Sequence, residues 1–294
     1  MKKFSGAITA IVTPFKKDGS IDVGALRNLV KFQINSGING IVPCGSTGEA
    51  ATMNADDYQL VVRTVVEEAK GRVPIIAGAG SNDTAKAIKL SQLAKEAGAD
   101  ALLHVTPFYN KPTINGLVAH YSAIANAVDM PIVLYNVPGR TGLNATATTT
   151  IRIAKEVPQV VAVKEASGDI SQMADIIRGS SASFSVLSGD DSLTLPLLSL
   201  GGDGCISVVS NEVPKRFTQL VSYGLEGNFK QARRLHYQLL DLMNANFIET
   251  NPQPVKTALY MMGKIQEVFR LPLVPMEEKN KETLRKVLKE GGLL

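Results

Sequence analysis

The stretch VVAVKEASG at residues 160–168 decides how the rest of the chain is read. Val160, Val161, Ala162 and Val163 form an unbroken apolar run, the pattern of a strand covered on both faces, as in a parallel sheet. The run stops at Lys164, and Glu165 leads into a small-residue turn through Ser167 and Gly168. An ammonium at the exit of a buried strand is poorly solvated, so burial is expected to lower its pKa from about 10.4. A neutral amine in that place can attack a carbonyl and form an imine. The competing reading is a lysine whose head reaches solvent or pairs with Glu165, and the run alone leaves both open.

Working outward, short apolar runs recur and alternate with amphipathic stretches. Strands are expected near 7–13, 39–43, 74–79, 101–105, 131–135, 160–164, 185–188 and 204–209. Helices are expected near 22–36, 54–70, 83–98, 114–128, 145–156, 170–179 and 191–200. Asn54, with Asp57 three residues on, has the chemistry of a helix start. Eight strands each followed by a helix predict an α/β chain folded as a (β/α)8 TIM barrel, a fold that takes about 250 residues. A doubly wound sheet competes, but the nearest dinucleotide fingerprint, GAGSND at 78–83, has Asp83 where its third glycine belongs. After residue 210 the pattern is helical only, near 213–223, 226–248, 253–264 and 280–291, with breaks at Pro252, Pro254, Pro272 and Pro275. The first of these helices closes the barrel. The division expected is a catalytic barrel over 1–224 and a C-terminal helical appendage over 225–294.

Composition narrows the function classes. The 294 residues are 45% hydrophobic and 20% charged, and 31 basic against 27 acidic residues leave a net charge of only +4. That balance offers no basic patch for nucleic acid, and no uncharged apolar run reaches the 18 or more residues of a membrane span. Lys2 and Lys3 ahead of an apolar stretch imitate a signal peptide. Thr9, Thr13 and Pro14 interrupt it and no small-x-small cleavage site follows, so the stretch is read as the first strand. Two cysteines, Cys44 and Cys205, make no disulfide framework and suit a reducing cytoplasm.

In such a barrel, function gathers where strands end. The second strand runs into Cys44-Gly45-Ser46-Thr47-Gly48-Glu49, two hydroxyls between glycines, suited to a carboxylate or a proton relay or, more plainly, to a capped tight turn. The fourth gives Thr106-Pro107-Phe108-Tyr109-Asn110 and the fifth Tyr135-Asn136-Val137-Pro138-Gly139-Arg140. Tyrosines are commonly packing residues, but beside a neutral lysine Tyr109 and Tyr135 can pass protons. Arg140 has bidentate geometry for a substrate carboxylate, or else makes a surface ion pair. His104, His120 and His236 lie far apart without HExxH spacing or a cysteine pair, which argues against a metal site. Carbon–carbon bond formation at a carbonyl then needs its electron sink from an imine on Lys164, with no cofactor.

At this point the chain resembles the dihydrodipicolinate synthase family along nearly its whole length. The resemblance runs through AIVTPF (10–15), GSTGE (45–49), TPFYNKP (106–112), YNVPGRTG (135–142), VKEASG (163–168), SGDD (188–191), GGDGCISV (201–208), NPQPVK (251–256) and RLPLVP (270–275). GSTGE and the imine lysine are shared with sugar-acid lyases, but PGRTG and KEASG are similar to the synthase branch. Ser46 stands where many members have threonine, which keeps the hydroxyl and loses a methyl. The resemblance implies an imine between Lys164 and pyruvate, with Tyr135, Ser46 and Tyr109 as proton relay. It implies that Thr47 and neighbouring amides hold the pyruvate carboxylate, with Gly189 and the Ile206 carbonyl lining the site. Arg140 is implied to bind the carboxylate of L-aspartate 4-semialdehyde. Tyr109 is implied to reach a neighbouring subunit's site in a homo-oligomer, a tight dimer commonly paired into a tetramer. It further implies weak feedback by lysine, because Lys86 stands where an acid would meet the effector's amine. A pyruvate-dependent sugar-acid aldolase is the alternative enzyme. A non-catalytic ligand-binding barrel is the alternative of another class, disfavoured because the lysine, tyrosines and hydroxyl are all retained.

Overall fold

A computed structural model describes residues 3–294; Lys2, one of the two lysines of the signal-like start, lies outside the described residues. Eight parallel strands form one sheet: β1 (Gly6–Ala10), β2 (Gly40–Val42), β3 (Ile76–Gly78), β4 (Ala101–Val105), β5 (Ile132–Asn136), β6 (Val160–Glu165), β7 (Ser185–Ser188) and β8 (Gly204–Ser207). Their order is β2-β1-β8-β7-β6-β5-β4-β3. The remaining seam is drawn together by a parallel bridge between Ile41 and Ile75 and by the Gly78 amide donating to the Pro43 carbonyl at 2.9 Å. The sheet therefore curls into the expected barrel.

Helices follow the strands: α1 (Val23–Asn35), α2 (Ala55–Ala69), α3 (Thr84–Glu96), α4 (Ile114–Val128), α5 (Pro138–Thr141), α6 (Ala147–Glu156), α7 (Ile170–Gly179), α8 (Thr194–Ser199) and α9 (Pro214–Leu225). Then come α10 (Phe229–Ala245), α11 (Gln253–Met261) and α12 (Glu278–Glu290). Side-chain caps start many of them. Asn54 accepts from the Asp57 amide, as its position suggests, and Asp22, Asp83, Thr113, Thr146 and Asp169 cap α1, α3, α4, α6 and α7.

Strand alternation sorts the apolar residues into two layers. Ile8, Val42, Ile76, Leu103, Val133, Tyr135, Ala162, Leu187 and Ile206 fill the barrel interior. Val163, Leu134, Leu102 and Ile41 face outward into a second cluster with the helices, which also takes in Leu239, Leu259 and Leu284 of α10, α11 and α12. The C-terminal helices thus share the outer core of the barrel.

Four strands, β1, β2, β3 and β8, are shorter than the apolar runs suggest, and two of them end well before their runs do. β1 ends at Ala10, since beyond it the Val12 amide is taken by the Asn211 side chain at 3.1 Å and Pro14 has no N–H to give. β8 ends at Ser207 because Asp191 accepts from the Val208 and Val209 amides and turns the chain into a 3-10 segment. Between β5 and the helix expected near 145–156, the chain forms the one-turn helix α5 that carries Arg140.

Candidate active site

Lys164 and Tyr135 are direct partners across β6 and β5. Parallel neighbours in register point to the same face, so both side chains enter the barrel. The Lys164 ammonium sits 4.2 Å from the centroid of the Tyr135 ring. Lys164 is only 6% exposed and makes no ion pair among the described residues. Alternation sends the next residue the other way. Glu165 faces outward, where Asn136, Gln172 and the Ser167 amide donate to its carboxylate. Neither competing reading of Lys164 fits: its head is buried, and Glu165 is engaged on the opposite face.

The lysine lines a cavity of about 720 Å³ at the C-terminal ends of the strands, together with Ser46, Thr47, Tyr135, Arg140 and Gly189. Gly189 is there for space. A Cβ on it would lie 2.6 Å from the Ala166 Cβ and 3.1 Å from the Lys164 Cε. Gly78 has a similar purpose under the 44–49 turn, where a Cβ would come within 2.1 Å of the Cys44 carbonyl oxygen.

That turn is built by its own backbone. The Gly48 amide donates to the Gly45 carbonyl at 3.0 Å and the Glu49 amide to the Ser46 carbonyl at 3.1 Å, while Cys44 and Glu49 take left-handed φ values of 55° and 57°. The Ser46 and Thr47 amides donate to nothing among the described residues. Two free amides beside two hydroxyls form a cradle for a carboxylate.

Arg140 stands at the mouth, exposed, with its guanidinium donating to the Asn251 carbonyl at 3.1 Å. Asn251 in turn donates from Nδ2 to the Thr47 hydroxyl at 3.0 Å. Its Oδ1 is buried without a partner, and the residue lines the cavity. Nothing in the sequence reading gave Asn251 a role, although NPQPVK was noted as a motif. A polar residue opening a proline-flanked segment was the available signal.

Two expected residues are not among those lining the cavity. Ile206 is fully buried, with its side chain in the barrel interior. Tyr109 is 89% exposed, held at φ 70° on a loop tied down by the Asn110 amide group donating to the Asn82 carbonyl at 2.8 Å. A left-handed tyrosine is strained by roughly 1 kcal/mol or more, and here it lies outside the lining of its own chain's cavity.

Residues 3–291 match the Dihydrodipicolinate synthetase family. A relative from Maridesulfovibrio salexigens, named 4-hydroxy-tetrahydrodipicolinate synthase, is 55% identical over 291 residues, 99% of each chain. Another of that name from Oleidesulfovibrio alaskensis is 53% identical, covering 99% of this chain and 100% of its own. The solved structure of dihydrodipicolinate synthase from Thermotoga maritima superposes with a TM-score of 0.97 at 47% identity, covering 100% of both chains. With a family match over nearly its whole length and relatives more than 50% identical end to end, the chain belongs to the dihydrodipicolinate synthetase family.

Proposed function

We propose that the chain condenses pyruvate with L-aspartate 4-semialdehyde, the lyase activity of 4-hydroxy-tetrahydrodipicolinate synthases in the diaminopimelate route to lysine. The observation that carries this reading is the unpaired amine of Lys164, buried over the Tyr135 ring and lining one cavity with Ser46 and Thr47, whose amides are free. Pyruvate enters with its carboxylate on those amides and the Thr47 hydroxyl, near Gly189 and the Ile206 carbonyl. The neutral Lys164 amine adds to the keto carbon, and loss of water gives the imine. Loss of a methyl proton gives an enamine, whose carbon attacks the aldehyde while the aldehyde oxygen takes a proton. The substrate's own amine then displaces Lys164 as the ring closes. Tyr135, Ser46 and Tyr109 pass the protons, and Arg140 holds the carboxylate of the semialdehyde.

The same reading makes the protein a cytoplasmic homo-oligomer, a tight dimer paired into a tetramer. Its support is Tyr109, a strained and 89% exposed residue whose hydroxyl has use only beside a second copy's cavity. Two buried free cysteines suit a reducing compartment, and among the described residues no helix is long and apolar enough to cross a membrane. The functional division remains a catalytic barrel over 1–224 and a helical unit over 225–294.

Borohydride reduction in the presence of pyruvate tests the reading. Peptide mapping is expected to find the reduced pyruvyl group on Lys164, with turnover on aspartate semialdehyde and none on sugar acids. Label on another lysine, or cleavage of a sugar acid, overturns it.

A further inference from the structure

Glu49 and Lys256 take no part in the reaction above, yet they form the one ion pair among the described residues with both side chains fully buried. Every other pair there leaves at least one partner more than a tenth exposed. Burying two charges gains little net stability over apolar residues of similar size. What such a pair does supply is a single geometry.

The surroundings show how tightly that geometry is drawn. One Glu49 oxygen accepts from Lys256 and the other from the Arg270 amide at 3.1 Å. Lys256 also donates to the Val268 carbonyl at 2.7 Å and lies 4.3 Å from the Phe15 ring centroid. Burial holds the Lys256 pKa below its ordinary value, and the Glu49 carboxylate offsets only part of that. Arg270 extends the clamp from its guanidinium to the Gly19 and Thr52 carbonyls and to Asp57.

Glu49 lies two residues past Thr47 and holds the left-handed φ of 57° that ends the turn. The segment that supplies Lys256 also supplies Asn251, the donor to the Thr47 hydroxyl. Residues 251–256 therefore grip the 46–49 turn at two points, across 204 and 207 residues of chain. We infer that Glu49 and Lys256 are positioning residues: their buried pair locks the Ser46–Thr47 turn onto Lys164, so that the C-terminal helices complete the pyruvate site. The inference rests on the proposed role of the Ser46 and Thr47 amides in holding pyruvate.

The test replaces both charges at once, Glu49→Gln with Lys256→Met, so that no lone charge is left buried. Glu49→Gln alone, which keeps size and acceptor oxygen, serves if the double variant does not fold. Active sites are counted first, by borohydride trapping of pyruvate on Lys164 at saturation, so that KM and kcat refer to folded protein only. The expected result is near-parental trapping at saturation with KM for pyruvate raised ten-fold or more and a smaller fall in kcat. A pyruvate KM within two-fold of the parent, or a loss of active fraction alone, overturns the inference. Failure to trap pyruvate on Lys164 in the parent protein instead overturns the proposed reaction.

Discussion

Lys164 and Lys256 are both buried amines, and their surroundings are opposite. Lys164 is 6% exposed at a strand end, with an aromatic ring beneath it and no carboxylate partner among the described residues. Lys256 is 0% exposed in a helix, with a carboxylate, a carbonyl and a ring around it. An unpaired buried amine that opens onto a cavity is free to meet a carbonyl, so it suits a nucleophile. A fully partnered one is immobile, so it suits a fastening. Burial of a lysine does not by itself distinguish the two; its partners do.

If the two amines differ in this way, substitutions at each have opposite signatures. Lys164→Ala is expected to abolish pyruvate trapping and lower turnover by at least about 10³-fold. Unfolding free energy should move by only about 1 kcal/mol, since no ion pair is broken. Lys164→Arg keeps the charge and should be equally inactive. Lys256→Met is the mirror case. It strands the Glu49 carboxylate in the core and should destabilise by about 3–5 kcal/mol in urea unfolding. A Lys256 variant of parental stability would mean that Glu49 is not held as a charge.

Smaller effects probe the rim of the cavity and the charge tolerance of the fold. Arg140→Ala should weaken use of aspartate semialdehyde by about 2–3 kcal/mol in kcat/KM, with trapping of pyruvate on Lys164 intact. Loss of trapping with unchanged semialdehyde saturation would assign Arg140 to the first substrate.

His104 and His120 lie buried in the outer layer, between α3, β4 and α4. Burial holds them far below the ordinary 6.5, at about 3 and about 4. Below pH 6.5 the unfolded chain takes up these protons first, so the stability they allow at pH 7 is lost as pH falls toward 4. Asp191 runs the other way. Burial raises its carboxyl to about 6, so the folded chain binds that proton first on acidification. His120→Gln isolates one histidine from this opposition. Between pH 7 and pH 5 the parent should lose about 2 kcal/mol more than this variant, read from urea unfolding at the two pH values.

The smallest effect expected is that of L-lysine. Lys86 lines the same cavity as Asn82, and a cation there repels an incoming amine. Activity should change by less than about two-fold on that account. Half-maximal inhibition at submillimolar lysine would show that another group offsets Lys86.

Much of this molecule was legible before folding. The barrel followed from eight apolar runs with helical stretches between them, because hydrophobic periodicity reports burial directly. Lys164, Tyr135, Ser46, Thr47 and Arg140 could be picked out because a barrel displays whatever follows its strands; Gly189 came from the family resemblance, and all six line one cavity. Strand ends were less legible. Val208 and Val209 look like more strand, and only the distant Asp191 carboxylate, by accepting their amides, turns them away.

What the sequence by itself determined was local: which segments are strands, which helices, and which chemistry stands at each strand's end. The tertiary structure alone decided the partnerships. Glu165 follows Lys164 in the chain, yet alternation places it on the other face, satisfied by Asn136 and Gln172. Glu49 finds Lys256 across 207 residues, and Thr47 finds Asn251 across 204. Helix and strand periods carry information over a few residues, whereas an ion pair or a side-chain hydrogen bond depends on where two distant backbones meet. The C-terminal segment reads as an appendage in one dimension, and in three its Asn251 and Pro252 line the cavity.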